Sequence, residues 1–299
     1  MQAKRFGYRC GVWDFLQVSN KEHLRSIGNA ICICGHLYNK RKKMKNRGLL
    51  LVVLLSLLLS GCTKYYYCPN DVNVPLLTDK NQFHIDGSLG SSDFVNINNL
   101  QMSYSPLNHL GLIGNCATYS GSGGSGSEGS AHLLEIGAGY YYATQGRVKL
   151  VGDIYGGFGG GKMNSDVNMN FRRFFIQPGI GLRGRYFDLA LSWRIVNVKY
   201  YNFDANGQTD DYLSSQNLID YTGRRIDNGS YTFFEPCLTL RAGGRLLKFQ
   251  FQLVGVNNIG YIPWNYETSE GSIGLCFNIE DMIERAADRD RKKHRNTGL

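Results

Sequence analysis

A two-residue period in hydrophobicity, repeated between residues 82 and 279, constrains the fold of this chain more than any other feature. In the segment 187–195, apolar side chains alternate with Asp188, Ser192 and Arg194. Successive side chains of a β-strand point to opposite faces, so this alternation predicts strands with one apolar and one polar face. Helical periodicity is hard to find before residue 279, and the chain is therefore predicted to be all-β. We predict ten strands, near residues 82–90, 95–105, 109–119, 131–143, 147–160, 171–184, 187–201, 231–243, 247–258 and 271–279.

The lengths of these strands and of their connections favour a membrane barrel. Most predicted strands exceed the ~5–6 residues that are usual in soluble sheets, and a membrane-spanning strand needs ~9–11 residues. Short connections at one end and long loops at the other are typical of outer-membrane barrels. Tight connections at 105–108, 144–146, 184–186 and 243–245 alternate here with longer ones at 120–130, 161–170, 202–230 and 259–270. The prediction is an antiparallel up-and-down membrane β-barrel of about ten strands over 82–279, with both ends on the short-turn side.

The polar faces of the strands carry charges of both signs. In a membrane barrel the apolar faces contact lipid and the polar faces fill the lumen, where an unpaired charge is too costly to keep. We therefore predict a lumen charge network of Glu135, Asp153, Arg183, Arg194, Glu235, Arg241 and Lys248. Alternation alone is equally typical of a soluble β-sandwich, in which these charges would be solvated on the outer faces.

An apolar run at 49–59 precedes the strands. It is too short for a membrane-spanning helix, which needs ~20 residues. Basic Lys45 and Arg47 precede it and small residues follow it, which together predict a secretory signal peptide over 44–61. Residues 1–43 are then expected to be an upstream leader, outside the mature protein, that results from a start codon assigned too early. Residues 62–81 are predicted to be a periplasmic linker.

The end of the signal peptide is more specific than its apolar core. The residues Leu59, Ser60, Gly61 and Cys62 resemble the bacterial lipobox, in which the chain is cut before a cysteine whose thiol is acylated. The resemblance implies that Cys62 carries a covalent lipid. The full chain has 33 basic and 24 acidic residues, of which 11 and 2 precede Cys62, leaving 22 of each. The basic excess therefore belongs to the leader and the signal peptide, and we predict no nucleic-acid partner.

Four short motifs carry a wider resemblance. They are Asn73-Val74-Pro75-Leu76-Leu77, Tyr104 to Gly111, Phe174 to Pro178, and Phe234-Glu235-Pro236 with Leu238 to Arg241. With the lipobox, they make residues 62–279 similar to the lipobox-bearing outer-membrane β-barrel proteins of Bacteroides-like Gram-negative bacteria. The resemblance implies an outer-membrane location, a lipid anchor and periplasmic termini, and no established biochemical activity. The chain departs from many barrels by lacking an aromatic last strand residue; it continues as a charged periplasmic tail, 280–299.

Signals for catalysis, cofactors or metals are weak. The stretch 156–162 fits G-x-x-x-x-G-K, but Met163 follows where a phosphate loop needs Ser or Thr, so it is interpreted as a glycine-rich strand end. Cys32 and Cys34 lack the second ligand pair of a zinc site. A lipid-modifying hydrolase could use Ser130, His132 and Glu135, but His132 and Glu135 fall on opposite strand faces. We predict no enzyme, cofactor or metal, and keep the hydrolase as a minor alternative.

The predicted role is structural or one of surface interaction. The loop 202–230 mixes acidic residues with Arg224 and Arg225 and is the candidate contact for an extracellular partner. The alternatives are a narrow pore for small solutes and a soluble periplasmic β-sandwich lipoprotein that binds a ligand. The interior of a ten-stranded barrel is largely filled by side chains, which disfavours the pore. Free thiols and a disulfide remain equally open for Cys68, Cys116, Cys237 and Cys276, because the periplasm permits disulfides.

Overall fold

The computed structural model describes residues 64–92, 95–122, 128–220 and 222–279. The predicted leader, signal peptide, lipobox cysteine and C-terminal tail lie outside the described residues.

The described chain forms one closed, antiparallel barrel. Each strand pairs with its neighbours in sequence, and the last strand pairs with the first, so that the sheet closes. The strands are β1 (Phe83–Ser91), β2 (Val95–Leu107), β3 (Leu110–Ser122), β4 (Glu128–Ala143), β5 (Lys149–Asn164), β6 (Asn168–Arg183), β7 (Phe187–Asp204), β8 (Tyr231–Gly243), β9 (Leu247–Gly255), β10 (Asn257–Ile259) and β11 (Ser269–Asn278). The short β10 continues β9 along β8 in the same register, so β9 and β10 together count as one strand and the barrel is ten-stranded. The predicted all-β barrel is confirmed, and the β-sandwich alternative is wrong.

Some strands run further than predicted. β5 and β6 cover most of the predicted loop 161–170 and leave only residues 165–167 as a turn. The reason is that Met163 and Met169, both inward-facing, are buried in an apolar cluster together with Val167. The apolar contacts hold the two strands together beyond the point where the polar sequence predicts a loop.

The outer surface of the barrel is apolar. Leu134 is 64% exposed, Phe249 69% and Ile273 66%, and large apolar side chains occupy the outward positions of all the long strands. A soluble monomer rarely exposes an apolar surface of this extent, whereas a membrane barrel presents such a band to lipid. The inward positions hold the polar and charged side chains. The architecture is therefore that of an outer-membrane-type barrel.

The two ends of the barrel differ in the length of their connections. The connections 108–109, 144–148, 184–186 and 244–246 lie at one end, here called the turn end. The other end, here called the loop end, carries the long connections 205–230 and 256–268.

The longest connection, 205–230, has some structure of its own. It contains a helix α1 (Asp210–Ser215) and a 3₁₀ turn (Ile226–Asn228). The hydroxyl of Thr209 accepts a hydrogen bond from the amide of Tyr212 and so caps α1, and two acidic residues occupy its first turn. In the described part of the chain, no helix has the length and hydrophobicity to cross a membrane.

Candidate functional site

Residues 64–81, here called the plug segment, run through the inside of the barrel. At the loop end, the amide of Tyr66 donates to the carbonyl of Asn265 at 2.9 Å. At the turn end, Lys149 Nζ lies 2.7 Å from Asp79 Oδ2. Between these points Asn70 and Asn73 are completely buried. Of the predicted periplasmic linker over 62–81, residues 66–77 thus lie inside the barrel, whereas 79–81 are exposed at the turn end.

The backbone of the plug segment is held by side chains of the barrel wall. Gln252 accepts from the amide of Val72 at 2.7 Å and donates to the carbonyl of the same residue at 3.0 Å. Gln101 donates to the carbonyl of Asp71 at 2.8 Å, and Gln177 to that of Asn73 at 2.7 Å. Buried backbone groups need partners, and the central plug residues have no neighbouring strand to supply them. The inward glutamines take over that role.

Four charged side chains meet beside the plug segment at the centre of the lumen. Arg194 Nε lies 2.5 Å from Glu235 Oε2, and Arg194 Nη1 lies 3.8 Å from Glu135 Oε2. Arg173 Nε lies 3.1 Å from Glu135 Oε1. All four are buried. This set, Glu135, Arg173, Arg194 and Glu235, is here called the central cluster; it has two charges of each sign and is neutral.

The plug segment completes the central cluster. Arg194 Nη2 donates to both the backbone and the side-chain oxygen of Asn70, each at 3.0 Å, and Arg173 donates to the same side-chain oxygen at 3.1 Å. The hydroxyl of Tyr67 donates to Glu235, and its ring stacks on Phe233 with centroids 3.9 Å apart. Desolvation of a buried ion costs several kcal/mol unless its hydrogen bonds are satisfied. Tyr67 and Asn70 supply bonds that the wall alone does not.

Two further ion pairs lie nearer the turn end. Arg241 Nη2 is 3.2 Å from Asp86 Oδ2, and Lys248 Nζ is 2.6 Å from Asp188 Oδ1. Lys248 also donates to the carbonyl of Gly184 at 2.8 Å. These pairs connect wall strands to each other, whereas the central cluster connects the wall to the plug segment.

The seven predicted lumen charges all occupy inward positions, but they do not form one network. Glu135, Arg194 and Glu235 are brought together in the central cluster. Arg241 and Lys248 pair with two acids outside the predicted set. Arg183 donates to the carbonyl of Leu76 and to Gln82, both at 3.0 Å. Asp153 lies against Gly179: a Cβ atom added to Gly179 would be 2.5 Å from Oδ1 of Asp153.

Sequence reasoning missed Arg173, Tyr67 and Asn70. A signal for Arg173 was available, because it stands an even number of residues before Arg183, which was assigned to the polar face of the same strand. No periodic signal marked the two plug residues.

Glycines of β5 make room for the central cluster and its neighbours. A Cβ at Gly159 would lie 2.5 Å from Cγ of Glu135, and one at Gly157 would lie 2.5 Å from Cζ of Phe175. Both glycines sit in a fully paired strand between β4 and β6. The run 156–162 is thus part of the wall, as the interpretation as a strand end predicted, and does not form a phosphate-binding loop.

Other candidate chemical groups are dispersed. Ser130 and His132 are exposed, whereas Glu135 points into the lumen. The thiols of Cys68, Cys116, Cys237 and Cys276 are free. Within residues 64–92, 95–122, 128–220 and 222–279, no three His, Cys, Asp or Glu side chains are arranged to hold a metal ion.

An aromatic cluster covers the plug segment at the loop end. Trp264 packs edge-on against Tyr231 and Tyr200, with centroids 4.9 and 5.8 Å away, and the hydroxyl of Tyr200 donates to the carbonyl of Tyr66 at 2.6 Å. The loop 205–230 is fastened over this cluster by Tyr212, whose hydroxyl donates to Asp166 at 2.8 Å. Partial burial and this hydrogen bond to a carboxylate raise the pKa of Tyr212 to about 12. Leu213, Leu218 and Ile226 of this loop are buried in the same apolar cluster as Trp264, so the loop packs against the aromatic cluster.

Comparisons with solved structures return outer-membrane barrels. The N-terminal β-barrel domain of OprF from Pseudomonas aeruginosa is 10% identical, covers 67% of this chain and 98% of its own, with a TM-score of 0.31. LpxR from Salmonella typhimurium is 10% identical, with 65% and 99% covered and a TM-score of 0.34. The translocator domain of the autotransporter NalP from Neisseria meningitidis is 12% identical, with 66% and 86% covered and a TM-score of 0.31. No family model and no curated protein matches the chain.

Proposed function

We propose that this protein is a lipid-anchored β-barrel of the outer membrane, closed by its own plug segment, with a structural or surface-interaction role and no catalytic activity. The observation that carries the proposal is the buried central cluster, in which ion pairs and hydrogen bonds join the wall to the plug segment. Cys62 would carry the lipid, as the lipobox resemblance implies.

The filled lumen favours a closed barrel rather than a solute pore. A pore needs water along its axis, and its charged groups would be solvated. Arg194 and Glu235 instead have no exposed surface, and the plug residues from Asn70 to Leu77 are all buried. A narrow pore would require the plug segment to leave the lumen, at the cost of the contacts of Tyr67 and Asn70 with the central cluster.

The loop 205–230 is the proposed contact for an extracellular partner, within the wider range 202–230 predicted from sequence. Its exposed side chains include Asp210, Asp211, Arg224 and Arg225, so the surface offers both signs of charge. Asp220 fixes part of this surface by accepting hydrogen bonds from the Thr222 side chain at 2.6 Å and the Arg224 amide at 2.9 Å. A preorganised polar surface loses little conformational entropy on binding.

Fractionation of cells that express the wild type and Cys62→Ala tests the membrane assignment. The barrel proposal expects both proteins in the outer membrane, and it expects protease added to intact cells to cut within 205–230. A Cys62→Ala protein that is soluble in the periplasm would refute it, because the lipid would then be the sole anchor.

Conductance in planar bilayers tests the closed lumen. Purified wild type should show no stable single-channel steps, whereas a variant lacking residues 66–77 should show them. Steps of the same size in both proteins would favour the pore.

A further inference from the structure

The two described ends of the chain lie at opposite ends of the barrel. Lys64 Nζ is 3.9 Å from Asp166 Oδ2, in the turn between β5 and β6 at the loop end. The amide of Ile279 donates to the carbonyl of Phe83 at 3.0 Å, at the turn end. The expectation of two periplasmic termini places both on the turn side, and the described residues depart from it at Lys64.

The plug segment is long enough to cross a bilayer. Apart from half-buried Cys68, residues 66–77 are all buried, while Lys64 and the residues from Thr78 onward regain exposure. Twelve residues span up to about 40 Å at ~3.3 Å per residue. The hydrocarbon core is ~30 Å thick. The chain therefore enters the lumen at one face of the membrane and leaves it at the other.

Cys62 precedes Lys64, the first described residue, by two positions in the sequence. Consecutive Cα atoms are ~3.8 Å apart, so two residues span at most about 8 Å. That reach is much shorter than the ~30 Å hydrocarbon core. In outer-membrane barrels the longer loops are extracellular and the short turns periplasmic.

We propose that the plug segment carries the N-terminal end of the mature chain through the lumen to the cell surface, so that the acyl chains on Cys62 enter the outer leaflet from outside. This inference rests on the proposed function for the lipid on Cys62 and for the outer-membrane location. It predicts that the acyl chains on Cys62 are embedded in the outer leaflet of the outer membrane, whereas those of a periplasmic anchor would be embedded in the inner leaflet.

Epitope tags at three positions test the topology. One tag is inserted between Thr63 and Lys64, a second between Asn206 and Gly207 at the loop end, and a third between Gln145 and Gly146 at the turn end. Heat-modifiable gel mobility shows which tagged proteins are folded. On intact cells, the first two tags should bind antibody at least tenfold better than the third, which should become accessible only after permeabilisation.

The outcomes separate this inference from the proposed function. If the tag before Lys64 needs permeabilisation while the tag at 206 does not, the surface position is refuted and the outer-membrane barrel stands. If the tag at 206 is also hidden while the tag at 145 is displayed, the proposed orientation fails, and this inference fails with it.

A second pair of variants covers the case in which the first tag prevents folding. Lys64→Cys and Arg147→Cys, each in a background with Cys68→Ser and Cys116→Ser, are treated on intact cells with a membrane-impermeant maleimide. Labelling of the first and not of the second supports surface display, and the reverse pattern overturns it.

The position of the lipid itself can be measured with a protease site placed in the first tag. External protease on intact cells should separate the acylated Cys62 from the barrel, and mass spectrometry of the barrel should show the loss of the lipopeptide. A barrel that keeps its lipid, although the tag at 206 is accessible, contradicts the outer-leaflet assignment.

Discussion

Replacement of Arg194 by methionine tests whether the central cluster holds the lumen together. Among the described residues, Arg194 is the one cation within 4 Å of both Glu135 and Glu235. It also donates two hydrogen bonds to Asn70 of the plug segment. Methionine has a similar length but no charge and no donor, so the substitution leaves Glu235 buried without its cation.

The size of the effect follows from these contacts. Each hydrogen bond to a charged group contributes ~1.5–3 kcal/mol, but bonds within one network do not add. Removing one partner of a buried ion pair costs ~3–5 kcal/mol in total. At ~1.4 kcal/mol per tenfold change, the unfolding equilibrium constant should rise by a factor of roughly 10² to 4 × 10³.

The assay is reversible urea unfolding in phospholipid vesicles, followed by the fluorescence of Trp193 and Trp264. Arg225→Met is the matched control, because Arg225 is exposed and its ion pair with Asp227, at 3.2 Å, is a surface pair. A surface pair contributes at most ~1 kcal/mol. Equal destabilisation by the two substitutions would refute the view that the central cluster stabilises the closed lumen.

Two further predictions use the same protein. Gly159→Ala should destabilise the barrel by ~1–3 kcal/mol through overpacking against Glu135, whereas Gly152→Ala, whose added methyl meets no atom within 4 Å, should change stability by less than ~0.5 kcal/mol in the urea assay. The hydrogen bond from Thr222 and that from the Arg224 amide lower the pKa of Asp220. The contribution of Asp220 to loop order is therefore present above the unfolded-state pKa of ~3.9 and is lost as the pH falls through the lowered folded-state pKa. Cutting of 205–230 by an acid-active protease should rise over that range in the wild type, relative to Asp220→Asn, whose loop lacks this pH-dependent contribution.

The wall of the barrel could be predicted from the sequence because each wall position follows one rule. A residue on a strand faces lipid or lumen according to its parity, so the inward positions of Glu135, Arg194 and Arg241 follow from alternation alone. Parity does not determine register, and without register the partners cannot be chosen. The pairing of Arg241 with Asp86 joins β8 to β1, which lie far apart in sequence and do not neighbour each other in the sheet.

The plug segment was not predictable for a different reason. It has neither a two-residue nor a helical period, since it contacts wall residues on every side. Its buried acid, Asp71, accepts from Ser88, and its backbone is satisfied in part by glutamine side chains that sequence reasoning treats as ordinary lumen residues. Such a stretch resembles a linker in composition, and only the three-dimensional contacts distinguish it from one.

The placement of the plug segment also fixes an order of assembly. The segment precedes β1, and its contacts with the central cluster come from β4, β6, β7 and β8, on the wall remote from the β1–β11 seam. Once that seam has closed, the chain end that precedes Lys64 would have to be drawn through a lumen packed with buried side chains. We therefore expect the strands to wrap around the plug segment before the seam closes. A chain without residues 66–77 should accordingly gain its heat-resistant gel mobility more slowly than the wild type.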